Sequence, residues 1–153
     1  MASKKSLVVE YLKYEQMLKE ISKGKRIDGR KLLETRPLSI EPGVIEKANG
    51  SAKVTLGNTE VIAGIKIQTG VPFDDTPNKG LLIVTSEILP IAASWAEPGP
   101  PNAEVIELAR VVDRGVRESK IIELTDFCIV EGKKVLAIFV DISVLNVDGN
   151  LFD

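Results

Sequence analysis

Three arginines, Arg110, Arg114 and Arg117, recur at spacings of four and three inside the segment Asn102–Lys120. On a helix, residues three and four apart are surface neighbours, so this spacing stacks the guanidinium groups along one face. A guanidinium presents a planar fork of donors that matches phosphate oxygens. The chemistry open to such a row is to hold an extended polyanion, and Lys120 adds a further cation by the same helical geometry. The same letters allow another arrangement. Glu107, Asp113 and Glu118 sit three or four positions from these arginines and can engage them in surface ion pairs, each worth about a few tenths of a kcal/mol.

The acidic residues offer less. Asp74 and Asp75 are adjacent in a loop, where the ordinary reading is a solvated turn. A magnesium site needs convergent oxygen ligands, and no local pattern specifies them. Asp141 lies in an apolar run and is open to two readings, a site carboxylate facing the helix or the partner of an arginine. With no histidine, the usual neutral-pH proton shuttle and the commonest metal ligand are missing. The one cysteine, Cys128, rules out an internal disulfide framework and a thiolate metal cluster, and its apolar neighbours suggest a buried structural thiol. No phosphate-cradling glycine loop, helix-borne metal motif or serine elbow is present. No catalytic residue, metal or cofactor is therefore expected, and the residues describe a binding subunit better than a complete catalyst.

A chain of 153 residues can bury a real core, and 44% hydrophobic with 27% charged residues is an ordinary globular balance. A formal net charge of -2 argues against indiscriminate coating of nucleic acid, but a channel needs only its lining to be basic. No apolar stretch reaches the roughly 18 to 20 residues that span a bilayer. No secretory core follows the basic start, so no membrane association is expected and a reducing cytoplasm is the expected compartment.

The elements that must position these residues follow from periodicity. Leu7, Tyr11, Tyr14, Leu18 and Ile21 recur at helical spacing, and Gly24 ends that helix. A charged turn, Lys25 to Arg30, follows, and Pro37 to Ile40 reads as a short edge strand. Ser51–Leu56 and Glu60–Thr69 read as strands joined by a Gly57-Asn58 hairpin turn, in a chain that looks like a meander. Gly80–Glu87 is apolar on both faces, which predicts cover on both sides. Pro101 and Asn102 open the arginine helix, whose buried stripe is Val105, Leu108, Ala109, Val112 and Val116. Leu136–Leu145 is the last strand, and Leu151-Phe152-Asp153 looks like the opening of another element. The sum is a two-layer α+β arrangement, with a helical segment at 1–24 and one domain at 25–153.

A set of short motifs adds to this reading. They are Arg26-Ile27-Asp28-Gly29-Arg30 with Arg36-Pro37, then Gly50-Ser51-Ala52 and Gly57-Asn58-Thr59. Asp75-Thr76-Pro77-Asn78-Lys79-Gly80 and Glu97-Pro98-Gly99-Pro100-Pro101 come next, then Ile106 to Arg114 and Val144 to Asn150. In this order and spacing they resemble the RNase PH family, and within it the non-catalytic members of the archaeal exosome, over effectively the whole chain. The resemblance implies a two-layer RNase PH-like fold of the ribosomal protein S5 domain 2 type, here represented by its N-terminal part and so incomplete. It also implies a six-membered ring alternating with a catalytic relative and joined by RNA-binding cap subunits. Such a ring degrades single-stranded RNA from its 3′ end by phosphorolysis. By motif match Arg110 and Arg114 belong to the RNA track, and Arg117 and Lys120 join them on helix geometry. Catalytic relatives carry a basic phosphate-gripping pattern before this helix, where Ala92 to Glu97 has no arginine. The family's catalytic carboxylates lie in the second half of the domain. The expectation is thus a structural, RNA-guiding, non-catalytic subunit, in a chain that is truncated or naturally short. An active phosphorolytic ribonuclease and a purely structural assembly module are the alternatives.

Overall fold

The computed structural model describes residues 4–152, with side chains described at Val9 and from Tyr11 onward. Two compact units divide between Arg36 and Pro37. The first holds helix α1 (Lys4–Ser22) and the charged turn after it. Tyr11, Tyr14, Leu18 and Ile21 form the expected stripe, yet all four are exposed; the side chain of Leu7 lies outside the described residues. Gly24 closes the helix at a φ of 75°, donating its N–H to the Ile21 carbonyl at 2.9 Å.

The turn itself is held together by its charges. Arg26 donates to the Leu32 carbonyl through Nε and a terminal nitrogen at 3.1 and 2.8 Å. Arg30 reaches the Asp28 carboxylate and the Glu34 carbonyl, both at 2.7 Å. The Arg30 guanidinium, donating a hydrogen bond, holds the Asp28 carboxyl below its ordinary value.

The second unit is built on one six-stranded sheet. Its strands are β1 (Leu38–Pro42), β2 (Gly50–Leu56), β3 (Thr59–Gly70), β4 (Leu81–Ile88), β5 (Cys128–Val130) and β6 (Lys134–Asn146). Helix α2 (Ala103–Ser119) crosses between β4 and the last two strands. The hairpin forms as expected: Leu56 pairs with Thr59 across Gly57-Asn58, and Gly57 supplies a φ of 62°.

The meander does not persist. The order is β1-β2-β3-β6-β4, so β6 inserts between β3 and β4, antiparallel to the first and parallel to the second. A parallel neighbour requires a crossover, and α2 supplies it. The resulting β4–α2–β6 unit gives β6 two long ladders and leaves β4 at an edge.

Cover on β4 also differs from expectation. Leu82 and Ile88 are buried, with Val84 and Ser86 partly buried, on the face that α2 covers; Ile83, Thr85 and Glu87 on the other face are exposed. Only one face is covered among the described residues, and the polar side chains of Thr85 and Glu87 make the other tolerable in water.

The core gathers where α2 meets the sheet. Ile88, Ala92, Val105, Leu108 and Val144 are buried together, with Val61, Val112, Val147 and Leu151 packed around them. Leu151 packs against this core from a turn, and Asp153 lies outside the described residues. A 3-10 turn (Leu124–Phe127) and β5 cap the start of β6, which sequence periodicity does not foresee. Cys128 is partly exposed there rather than buried, facing the fully buried Val135 across the ladder.

Candidate nucleic-acid interface

Helix α2 is fixed at both ends. Asn102 keeps extended backbone and its side-chain oxygen accepts the Val105 N–H at 2.9 Å, satisfying one of the free amides of the first turn. Lys120 ends the helix in the left-handed region, φ 53° and ψ 25°, and donates its N–H to the Arg117 carbonyl. Between the caps, Val105 and Leu108 are buried and Ala109, Val112 and Val116 are partly buried, so the apolar stripe faces β4. One polar bond reinforces that seam: Ser86 Oγ donates to the Val105 carbonyl at 2.7 Å.

With the stripe turned inward, the arginines fall on its flank. Arg110 and Arg114 are exposed, one turn apart, and line an open cleft of about 520 Å³ with Thr85, Ile106 and Asp113. Neither has an ion-pair or hydrogen-bond partner among the described residues. Glu107 and Glu118, which the spacing allows as partners, do not engage them. Arg117 is placed differently. Its Nε donates to Asp113 Oδ2 and a terminal nitrogen donates to the Leu82 carbonyl, both at 2.7 Å. That carbonyl belongs to the edge strand, so the bond ties the end of α2 to β4. Of the four cations on this segment, only Arg117 is thus held by an acidic neighbour.

Lys120 lies beyond that pair, in a second cleft at the C-terminal end of α2. Lys79 and Phe73, from the loop between β3 and β4, share it. The helix spacing of cations cannot reveal those two, because the loop brings them in from outside the helix.

The acidic candidates separate as well. Asp141 accepts from Thr85 Oγ1, its ladder neighbour on β4, and not from an arginine. Alternation places it away from the sheet face that carries Leu82 and Ile142, so it does not face the helix. Asp74 and Asp75 are exposed in a turn. The groove before α2, about 900 Å³, is lined by Glu87, Trp95, Glu97 and Asp141 among others, and among the described residues no lysine or arginine lines it. A phosphate placed there meets carboxylates and no cation.

These features define a class. The chain belongs to the 3′ exoribonuclease family of RNase PH, whose domain 1 matches residues 34–153. The exosome complex component Rrp42 of Methanopyrus kandleri is 52% identical over 142 residues, 93% of this chain and 53% of that protein. Its namesake in Methanosarcina acetivorans is 50% identical over 150 residues, 98% of this chain and 56% of that protein. Among solved structures, a chain of the Archaeoglobus fulgidus exosome with RNA bound to the active site superposes with a TM-score of 0.91 at 49% identity, over 95% of this chain and 57% of the other. A chain of an archaeal exosome core gives 0.83 at 46% identity, over 95% and 55%. The fold is therefore the mixed α/β two-layer RNase PH type, and the chain spans about half the length of the relatives it matches.

Proposed function

We propose that this chain is part of a non-catalytic, structural and RNA-guiding subunit of an archaeal exosome, a ring that degrades RNA from its 3′ end by phosphorolysis. The observation that carries the reading is the pair Arg110 and Arg114, exposed one turn apart and left unpaired while Asp113 takes Arg117. Identities near 50% to proteins named as exosome components support the setting. In it the partners are a catalytic RNase PH-like subunit in a hexameric ring, RNA-binding cap subunits and single-stranded RNA, in the cytoplasm. Among the described residues no helix is long and apolar enough to cross a membrane.

Arg110 and Arg114 would grip phosphates, supplying position and salt-dependent affinity with no base identity. Lys120 would extend the same track, whereas Arg117 would join it only by giving up its bonds to Asp113 and Leu82. The groove before α2 supports a non-catalytic role, since the carboxylates lining it oppose phosphate. The test uses the full-length protein containing this chain, alone and mixed with a catalytic RNase PH-type partner. The expected results are a ring mass only in the mixture and phosphate-dependent release of nucleoside diphosphates only when the partner is present. Release by the protein alone would replace this reading with that of an active enzyme.

A further inference from the structure

The cleft at the C-terminal end of α2 combines chemistry that the arginine row lacks. Phe73 stands 63% exposed on its rim, and Lys79 and Lys120 line it without an ion-pair partner among the described residues. Arg117 also lines the cleft but is committed to Asp113 and the Leu82 carbonyl. The one carboxylate on the lining among the described residues, Glu123, accepts from Thr125 Oγ1. Two free ammonium groups beside an open ring are the components of a single-strand site, in which a base stacks on the aromatic face and a flanking phosphate meets the cations.

The platform is held, not loose. Thr76 N–H donates to the Phe73 carbonyl at 3.1 Å, and Gly132 N–H donates to the Pro77 carbonyl at 2.9 Å. Gly80 donates to the Leu124 carbonyl at 2.8 Å, and a Cβ at Gly80 would sit 2.5 Å from that of Phe127. Only glycine lets the loop lie this close to the 3-10 turn, and that contact sets where Lys79 emerges. A cleft of about 370 Å³ lies within the size range of small-ligand sites, roughly 300–1,000 Å³, and suits about one nucleotide. The end of a helix carries negative partial charge and by itself repels phosphate, so an anion here depends on the lysines.

We infer that Phe73, Lys79 and Lys120 form a one-nucleotide subsite for single-stranded RNA, continuing the track of Arg110 and Arg114 past the Asp113–Arg117 pair; this rests on the function proposed above. Phe73 supplies the stacking surface, and Lys79 and Lys120 hold the neighbouring phosphate.

The test measures binding of an unstructured RNA to the assembled ring across a salt series, with the full-length protein. Phe73→Ala is expected to weaken binding about 5- to 150-fold with the salt slope unchanged. Phe73→Trp is expected to retain it. Lys79→Ala with Lys120→Ala is expected to flatten the log–log salt slope by about 0.7, one single-strand phosphate contact. Arg110→Ala with Arg114→Ala serves as the reference. If the reference loses affinity while the Phe73 and lysine variants match wild type, the subsite is wrong and the arginine track stands. If all of them match wild type, both readings fall. A Phe73→Ala protein that binds RNA normally but no longer forms the ring marks the cleft as a protein contact and overturns the inference.

Discussion

Asp113 and Arg117, one turn apart on α2, close an ion pair at 2.7 Å, and the same guanidinium caps the Leu82 carbonyl on the edge strand. The pair separates two roles on one helix. Arg117 ties α2 to β4, while Arg110 and Arg114 remain open to a ligand.

Substitutions at this pair should differ in cost. Asp113→Asn removes an exposed i, i+4 pair and should cost about 0.3–0.5 kcal/mol. Arg117→Ala also removes the hydrogen bond to the Leu82 carbonyl and should cost about 1–3 kcal/mol. Denaturant titration of both variants checks the order; equal losses would mean that the contact with Leu82 is not made.

The two caps should respond in opposite directions. Asn102→Ala loses the bond to the Val105 amide and should cost about 1 kcal/mol. Lys120→Gly relieves a left-handed lysine and should stabilise by about 1 kcal/mol. Thermal melts read both, and the second variant should gain stability while losing RNA affinity.

Much of this was legible in the letters because it is local. Pro101-Asn102 opens the helix and Val105, Leu108 and Val112 mark its inner face, so the flank that carries Arg110 and Arg114 follows from periodicity. Gly57 announces its own turn. What the letters hid is long-range. Whether β4 pairs with β3 or lies beyond β6 depends on where the α2 crossover returns the chain, and no local pattern encodes that. β5 is three residues long and is defined by its pairing with the start of β6. Which of Glu107, Asp113 and Glu118 engages an arginine also escapes spacing, because the Leu82 carbonyl, 35 residues away, fixes the Arg117 side chain within reach of Asp113.

The Asp28 carboxyl should titrate below its ordinary value of 3.8, because Arg30 donates to the charged form. A depressed folded value means that any stability from this contact is present above the unfolded pKa and is lost as pH falls through the folded one. The relevant window therefore lies below 3.8. An NMR titration of the Asp28 side chain should show the low midpoint, and Arg30→Gln should raise it towards 3.8. A wild-type midpoint at or above that value contradicts the bond.

The most direct measurement concerns the unpaired arginines. In the assembled ring, Arg110→Glu with Arg114→Glu should weaken RNA binding to a similar degree for RNAs of different sequence. It should also flatten the log–log salt dependence by at least about 1.4, the contribution of two phosphate contacts to a single strand. Affinity and slope both indistinguishable from wild type, in a ring of unchanged mass, would remove α2 from the path of the RNA.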